Sequence, residues 1–215
     1  MLLLPTFLNF FFPRFCHGCG WPGSYLCQKC AKKILDHPQI CPECGRISKY
    51  GLTHPGCQTP HGLNGFWSWT AYDSLAKKFV EDIKYQSYSA LINDLLAFCP
   101  FTDFFPIKKK VSAVTPIPLH WLRKRQRGFN QSELIAKFLG EKLNLPLTNL
   151  LKRKYYTVPQ VKLVNKEQRD KNLIGVFEIR PSNSLPNSVL LVDDVATSFS
   201  TLKEACKVLK RNKIP

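Results

Sequence analysis

The chain has 215 residues, with 31 lysines and arginines against 15 aspartates and glutamates, a formal net charge of +16. A hydrophobic share of 44% and a charged share of 21% allow a buried core and exclude a disordered composition. Sixteen prolines argue against an all-helical bundle. The basic excess points to an anionic partner without separating nucleic acid from phosphorylated metabolite or anionic lipid.

In chain order, residues 1–15 (MLLLPTFLNFFFPRF) are apolar but broken by Pro5 and Pro13. They fall short of the ~20 residues a membrane helix needs, and lack the basic start and small-residue cleavage site of a secretory signal. They are expected to pack on the domain that follows. Contact with a membrane surface is the alternative, and the chain reads as cytoplasmic.

Next come Cys16-x2-Cys19, Cys27-x2-Cys30 and Cys41-x2-Cys44, three separate knuckles, then His54-x2-Cys57. Two thiolates three residues apart on a tight turn grip one tetrahedral ion, and Gly20 and Gly45 follow two pairs where such turns want a left-handed residue. Four pairs make eight ligands, hence two structural Zn²⁺. Sequential pairing gives Cys16/Cys19/Cys27/Cys30 and Cys41/Cys44/His54/Cys57; the spacing also permits a crossed arrangement. So small a module draws much of its folding energy from metal. Cys99 and Cys206 are left over, and Cys206 shares a helical face with Leu202, Ala205 and Leu209, which reads as core.

Composition shifts at Pro60-His61-Gly62, so a zinc-ribbon domain is expected over 1–62 and a second domain over 63–215. Phe66 to Thr70 reads as a short aromatic strand, and Leu75 to Ile83 and Tyr88 to Phe98 as helices. Val111 to Thr115 reads as a buried strand. Asn130 and Glu133 suggest a capping box for a helix with Leu134, Ile135, Phe138, Leu139 and Leu143 inward. Val189 to Val192 is an apolar strand and Thr201 to Lys210 an amphipathic helix. Strands alternating with helices predict an α/β fold with a parallel sheet.

Residues 111–180 hold fourteen basic and five acidic groups, more than half of the net charge. The densest run is Arg123, Lys124, Arg125 and Arg127, just after a strand end, where open parallel sheets bind ligands. In VLLVDDVATSFST, Asp193 and Asp194 sit at the carboxyl edge of a strand. Paired carboxylates there are costly unless they meet donors or a cation, and sugar hydroxyls and Mg²⁺ both qualify. Thr197, Ser198, Ser200 and Thr201 then lead into a helix, whose N-terminal N–H groups and dipole favour an anion. A diol-binding acid pair beside a phosphate cup matches a ribose 5-phosphate; the bland alternative is a pair of aspartates that turn the chain and cap a helix.

This segment resembles the phosphoribosyl-pyrophosphate motif of type I phosphoribosyltransferases. VTPIPLHWLRKRQRGFNQSELIA, then Gln160 to Leu163, Arg169, Asn172, Gly175 and Phe177, look like the ComF family of competence-related proteins, which also carries an N-terminal cysteine-pair module. The resemblance runs from about Phe15 to the C-terminus. It implies a type I phosphoribosyltransferase-like parallel sheet flanked by helices, binding Mg²⁺ with phosphoribosyl pyrophosphate. Asp193 and Asp194 would hold the ribose hydroxyls, and residues 197–201 (Thr197, Ser198, Phe199, Ser200, Thr201) the 5-phosphate, with Ala196 in the same cofactor-binding segment. Arg125 and Arg127, by charge and place, would face the pyrophosphate; no catalytic residue is assigned. The family usually has glycine where this chain has Phe199, and normally adds a strand after the helix that ends near Pro215. Both departures weigh on turnover more than on binding.

The resemblance implies DNA uptake in natural transformation, with single-stranded DNA as the cytoplasmic substrate and competence or DNA-translocation proteins as partners. Trp121, Trp67, Trp69, Tyr85 and Tyr88 are candidates to stack on bases. The alternatives are an active phosphoribosyltransferase with an unidentified base or amine acceptor, and a scaffold that keeps the fold as an interaction module.

Overall fold

The computed structural model describes residues 13–35, 37–72, 74–86, 92, 94, 96–99, 108–156, 172–182 and 184–215. Two compact units form: Met1–His37 with Trp69–Cys99, and Pro38–Ser68 with Pro100–Pro215. The first cysteine cluster lies in the first unit and the second cluster in the second.

In the first unit, helix α1 (Gln28–Leu35) follows the first cysteine turn and α2 (Ser74–Gln86) spans the predicted helix over Leu75 to Ile83. Leu26, Ala31, Ile34, Ala76 and Phe79 are buried there, the apolar stripe that an amphipathic helix must cover. His17 stacks on Phe79 and donates or accepts at Asp82, its Nδ1 2.5 Å from Oδ2, while Lys78 Nζ donates to the His17 carbonyl at 2.9 Å. The helix expected over Tyr88 to Phe98 lies mostly outside the described residues.

In the second unit, β1 (Ala113–Pro116) is followed by α3 (Trp121–Arg127) and α4 (Gln131–Leu143). Then come β2 (Leu151–Arg153), β3 (Phe177–Ile179), β4 (Val189–Val192) and α5 (Ser200–Arg211). Strands β1 and β4 pair in parallel, Ala113 opposite Val189 and Pro116 opposite Val192. Strands β2 and β3 pair antiparallel. Helix α4 packs on β1 and β4, and α5 on β3. The fold is thus mixed helix and strand, with a parallel pair and a cysteine-rich ribbon region ahead of it. The core gathers Ile117, Leu150, Leu151, Phe177, Leu202 and Leu209, and Cys206 is buried on the same face of α5 as Leu202, Ala205 and Leu209.

Three local expectations change. Phe66 to Thr70 is not a strand: Phe66 N–H donates to Gly51 C=O at 2.8 Å, and the Gln39 side chain, not a neighbouring strand, pairs with the Ser68 backbone in both directions at 2.9 Å. The capping box does not form either. Asn130 is the N-cap of α4, but its Nδ2 reaches back to the Ile117 carbonyl at 3.0 Å, and Glu133 pairs with Lys124 at 2.9 Å. The buried face of α4 is therefore Ser132, Ala136, Leu139, Gly140 and Leu143, leaving Leu134, Ile135 and Phe138 half-buried. Among the described residues no helix is long and apolar enough to cross a membrane.

Candidate functional site: two metal clusters and a cup after a parallel strand

The cysteine pairs close into two sets, Cys16, Cys19, Cys27 and Cys30, and Cys41, Cys44, His54 and Cys57, each with ligand atoms within 4.8 Å of one another. This is the sequential arrangement. Gly20 and Gly45 turn the chain at φ of 75° and 70°, and their N–H groups donate to the carbonyls of Cys16 and Cys41 at 2.7 and 2.9 Å. A side chain there would meet its own backbone, hence glycine. Cys27 and Cys30 are not on a free knuckle; they bracket the start of α1. His54 and Cys57 sit on a 3₁₀ turn, Pro55–Cys57.

The donor geometry fits Zn²⁺. Thiolates at 2.3 Å from a tetrahedral ion lie about 3.8 Å apart, and Cys19 Sγ and Cys27 Sγ are 3.7 Å apart. His54 Nε2 bonds to the Ile47 carbonyl at 3.2 Å, leaving its Nδ1 to face Cys44 Sγ at 3.3 Å. That outer hydrogen bond is the usual way a ligand histidine is oriented. Burial opposes ionisation of Cys16, yet the N–H groups of Cys27, Cys19 and Gly18 together bring its thiol down to about 6. Burial and its three neighbouring thiols push Cys30 up to about 12. Crowded thiols with such opposed tendencies call for a cation, and structural zinc is the ion the two clusters support.

At the carboxyl end of β4, Asp193 accepts from Ser132 Oγ at 3.1 Å and from the Asp194 N–H at 2.9 Å. Burial pushes its carboxyl well above the usual range, and Asp194 beside it adds to the shift. Asp193, Ala196, Thr197, Phe199, Ser200 and Thr201 line a shallow cup of about 160 Å³, counting space open to solvent. Asp194 and Ser198 are not among its lining residues; Ser198 Oγ lies 2.8 Å from Ser200 Oγ. Phe199 is the N-cap of α5 with φ of 60°, the strained left-handed region, and it offers no oxygen to cap the helix. Its ring packs on Phe66.

The two arginines stand apart from the cup lining. Arg125 is exposed on α3, and Arg127 Nη1 lies 3.4 Å from Gln131 Oε1, one residue before Ser132. A third cation is closer to the acid pair in effect. Burial draws Arg153 down to about 10, Arg123 adds to that, and the charge of Asp193 opposes it. Ser132, although it lies within the RGFNQSELIA string, and Arg153 are not singled out by the sequence as site residues. Trp67 and Trp69 are half-buried and Trp121 is exposed; the side chains of Tyr85 and Tyr88, with Gln160 to Leu163 and Arg169, lie outside the described residues.

Two cysteine-rich clusters that fit zinc and a mixed α/β core with a parallel strand pair define a zinc-ribbon protein with an α/β fold. Residues 7–58 match the family described as double zinc ribbon domain. Over 95% of its length the chain is 32% identical to Competence protein F of Haemophilus influenzae, covering 93% of that protein. It is 26% identical to Competence protein ComFC of Bacillus subtilis over 86% of this chain and 76% of that one. To DNA utilization protein YhgH of Salmonella typhimurium it is 26% identical, over 93% and 92% respectively. The chain belongs to the ComF family. No solved structure matches it.

Proposed function

We propose that the chain serves DNA uptake, handling single-stranded DNA in the cytoplasm and binding phosphoribosyl pyrophosphate with Mg²⁺ at the cup after β4. The observation that carries the ligand half is the placement of Asp193 at a parallel strand's carboxyl end, beside the hydroxyls of Thr197, Ser200 and Thr201 and the start of α5. A carboxyl that burial discourages from ionising is relieved by hydroxyl donors or a divalent cation. Asp193 and Asp194 would hold the ribose hydroxyls and residues 197–201 the 5-phosphate, with Arg125 and Arg127 toward the pyrophosphate. Bound Mg²⁺ would neutralise pyrophosphate charge. The chain's own part is positioning and charge stabilisation.

The DNA half is supported by relatives named for competence and for DNA utilization, and by the basic excess of residues 111–180. Competence or DNA-translocation proteins are the partners this reading expects. A second reading, an active phosphoribosyltransferase with a base or amine acceptor, is supported by the hydroxyl-bearing Thr197, Ser200 and Thr201, which line the cup alongside Phe199. Pyrophosphate release with a panel of nucleobases and amines tests it.

The direct test is calorimetric titration of zinc-loaded protein with Mg²⁺ and phosphoribosyl pyrophosphate, beside an Asp193→Ala/Asp194→Ala control. Binding by the wild type and none by the control is expected. No heat from a folded wild type overturns the ligand half. Affinity for a single-stranded oligonucleotide should fall steeply from low to physiological salt; a flat response removes the basis of the DNA half.

A further inference from the structure

Aromatic rings meet cations on an exposed part of the second unit. Trp121 is 63% exposed, Tyr155 57% and Tyr156 50%, unusual values for side chains whose burial is normally worth so much. Trp121 and Tyr156 are gathered about one ring, and Tyr155 is the sequence neighbour of Tyr156. The His120 ring lies between two of them, its centroid 5.7 Å from that of Trp121 and 5.3 Å from that of Tyr156. His120 is itself buried and held as the N-cap of α3, accepting from Leu122 N–H, so the rings rest on a fixed support. The Arg123 guanidinium stands 5.2 Å over Tyr156, and Lys154 Nζ 5.7 Å over Tyr155. Exposed Lys124 and Arg125 continue the positive charge along α3.

We infer that Trp121, Tyr155 and Tyr156 form a stacking platform for the unpaired bases of single-stranded DNA, with Arg123 and Lys154 as its cations. The inference rests on the single-strand reading above. Every base offers a π-face to such rings, whereas in a duplex those faces are stacked on each other, so this chemistry selects unpaired strands without selecting sequence. The cations serve twice, over the rings and toward the phosphates. A purely electrostatic surface would need the lysines and arginines but not the rings.

Fluorescence anisotropy at one salt concentration separates these cases, using full-length zinc-loaded protein, labelled oligothymidylate and an equally long labelled abasic strand. The wild type is expected to prefer the base-bearing strand by about tenfold, of the order of one stacked base. Trp121→Ala/Tyr156→Ala should lose that preference yet keep its affinity for the abasic strand and its salt slope. Trp121→Phe/Tyr156→Phe should restore it. Equal wild-type affinity for both strands, or an alanine pair that keeps the preference, overturns the platform and leaves the single-strand reading standing. No binding of either strand overturns both. Should the alanine pair misfold, wild-type tryptophan emission is a second measure: oligothymidylate should quench it, and Trp121→Phe should lose that quenching. Unchanged quenching in Trp121→Phe overturns the platform.

Discussion

The ring of Phe199 stands edge-on to that of Phe66, their centroids 4.7 Å apart and their planes at 82°. Phe199 pays a backbone cost for this place, since a left-handed residue with a Cβ loses about 1–2 kcal/mol. An edge-to-face pair returns about 0.5–1.5 kcal/mol beyond the area it buries. The contact thus explains how a bulky residue stays at the mouth of a cup, and it ties the segment after the second metal cluster to the start of α5. Lys203 to Glu43 at 2.7 Å and Lys210 to the Gly62 carbonyl at 2.6 Å strengthen the same join.

Phe199→Gly should therefore destabilise the chain by about 1–2 kcal/mol, because the packing lost by a half-buried ring exceeds the strain relieved. Urea unfolding followed by circular dichroism gives the value. Combined with Phe66→Ala, the loss should fall short of the sum of the two by about 0.5–1.5 kcal/mol. Strict additivity would mean that the rings do not support each other.

Asp193 gives stability a pH dependence of known sign. Its folded carboxyl titrates above the usual ~3.9. Below that value the folded and unfolded chains are both protonated and nothing is gained or lost. As pH rises above it, the unfolded chain ionises first, and stability drains away until the folded carboxyl ionises too. Asp193→Asn removes this cost, so its melting temperature should exceed that of wild type at pH 7 and converge with it toward pH 3. The same change should abolish binding of Mg²⁺ with phosphoribosyl pyrophosphate. A variant less stable than wild type at pH 7 would show that Ser132 and the Asp194 N–H already compensate the charge.

Metal content offers a third check. Zinc released by a thiol-modifying reagent and read with a chromogenic chelator should amount to two ions per chain. Cys19→Ser and Cys44→Ser should each leave about one, since losing one of four ligands weakens a site severely. Cys44→Ser should also lower the affinity at the cup, because Glu43 beside it anchors α5 through Lys203. An unchanged affinity would separate the second cluster from the cup.

What could be read in advance follows the range of the forces. The zinc ligands were legible because each pair closes a loop of a few residues and Gly20 and Gly45 mark the turns. Asp193 was legible because an apolar run ending in acids is a strand end in any parallel sheet. Ser132, by contrast, reaches Asp193 across sixty-one positions, and Asn130 gives up its cap to bond Ile117 across thirteen. Phe66 to Thr70 has the aromatic content of a strand, but Phe66 N–H bonds the Gly51 carbonyl and the Ser68 backbone pairs with the Gln39 side chain, which no periodicity announces. The allegiance of each cluster to a different packing unit is equally non-local, since it is decided by which helix covers which turn.

That allegiance makes the last prediction. The first cluster's turn is held to α2 by three contacts: His17 Nδ1 to Asp82 at 2.5 Å, Lys78 to the His17 carbonyl at 2.9 Å, and the His17 ring on Phe79. Both partners of the first pair are mostly buried, at 17% exposure each. Removing one side of such a pair leaves the other short of a partner, at a cost of about 1–3 kcal/mol. Asp82→Ala should therefore speed zinc loss from the first cluster under chelator challenge, with the second cluster's ion released at its wild-type rate. Phe79→Ala should do the same through the ring contact. Should both ions leave Asp82→Ala at wild-type rates, the helix is a neighbour of the ribbon rather than its support.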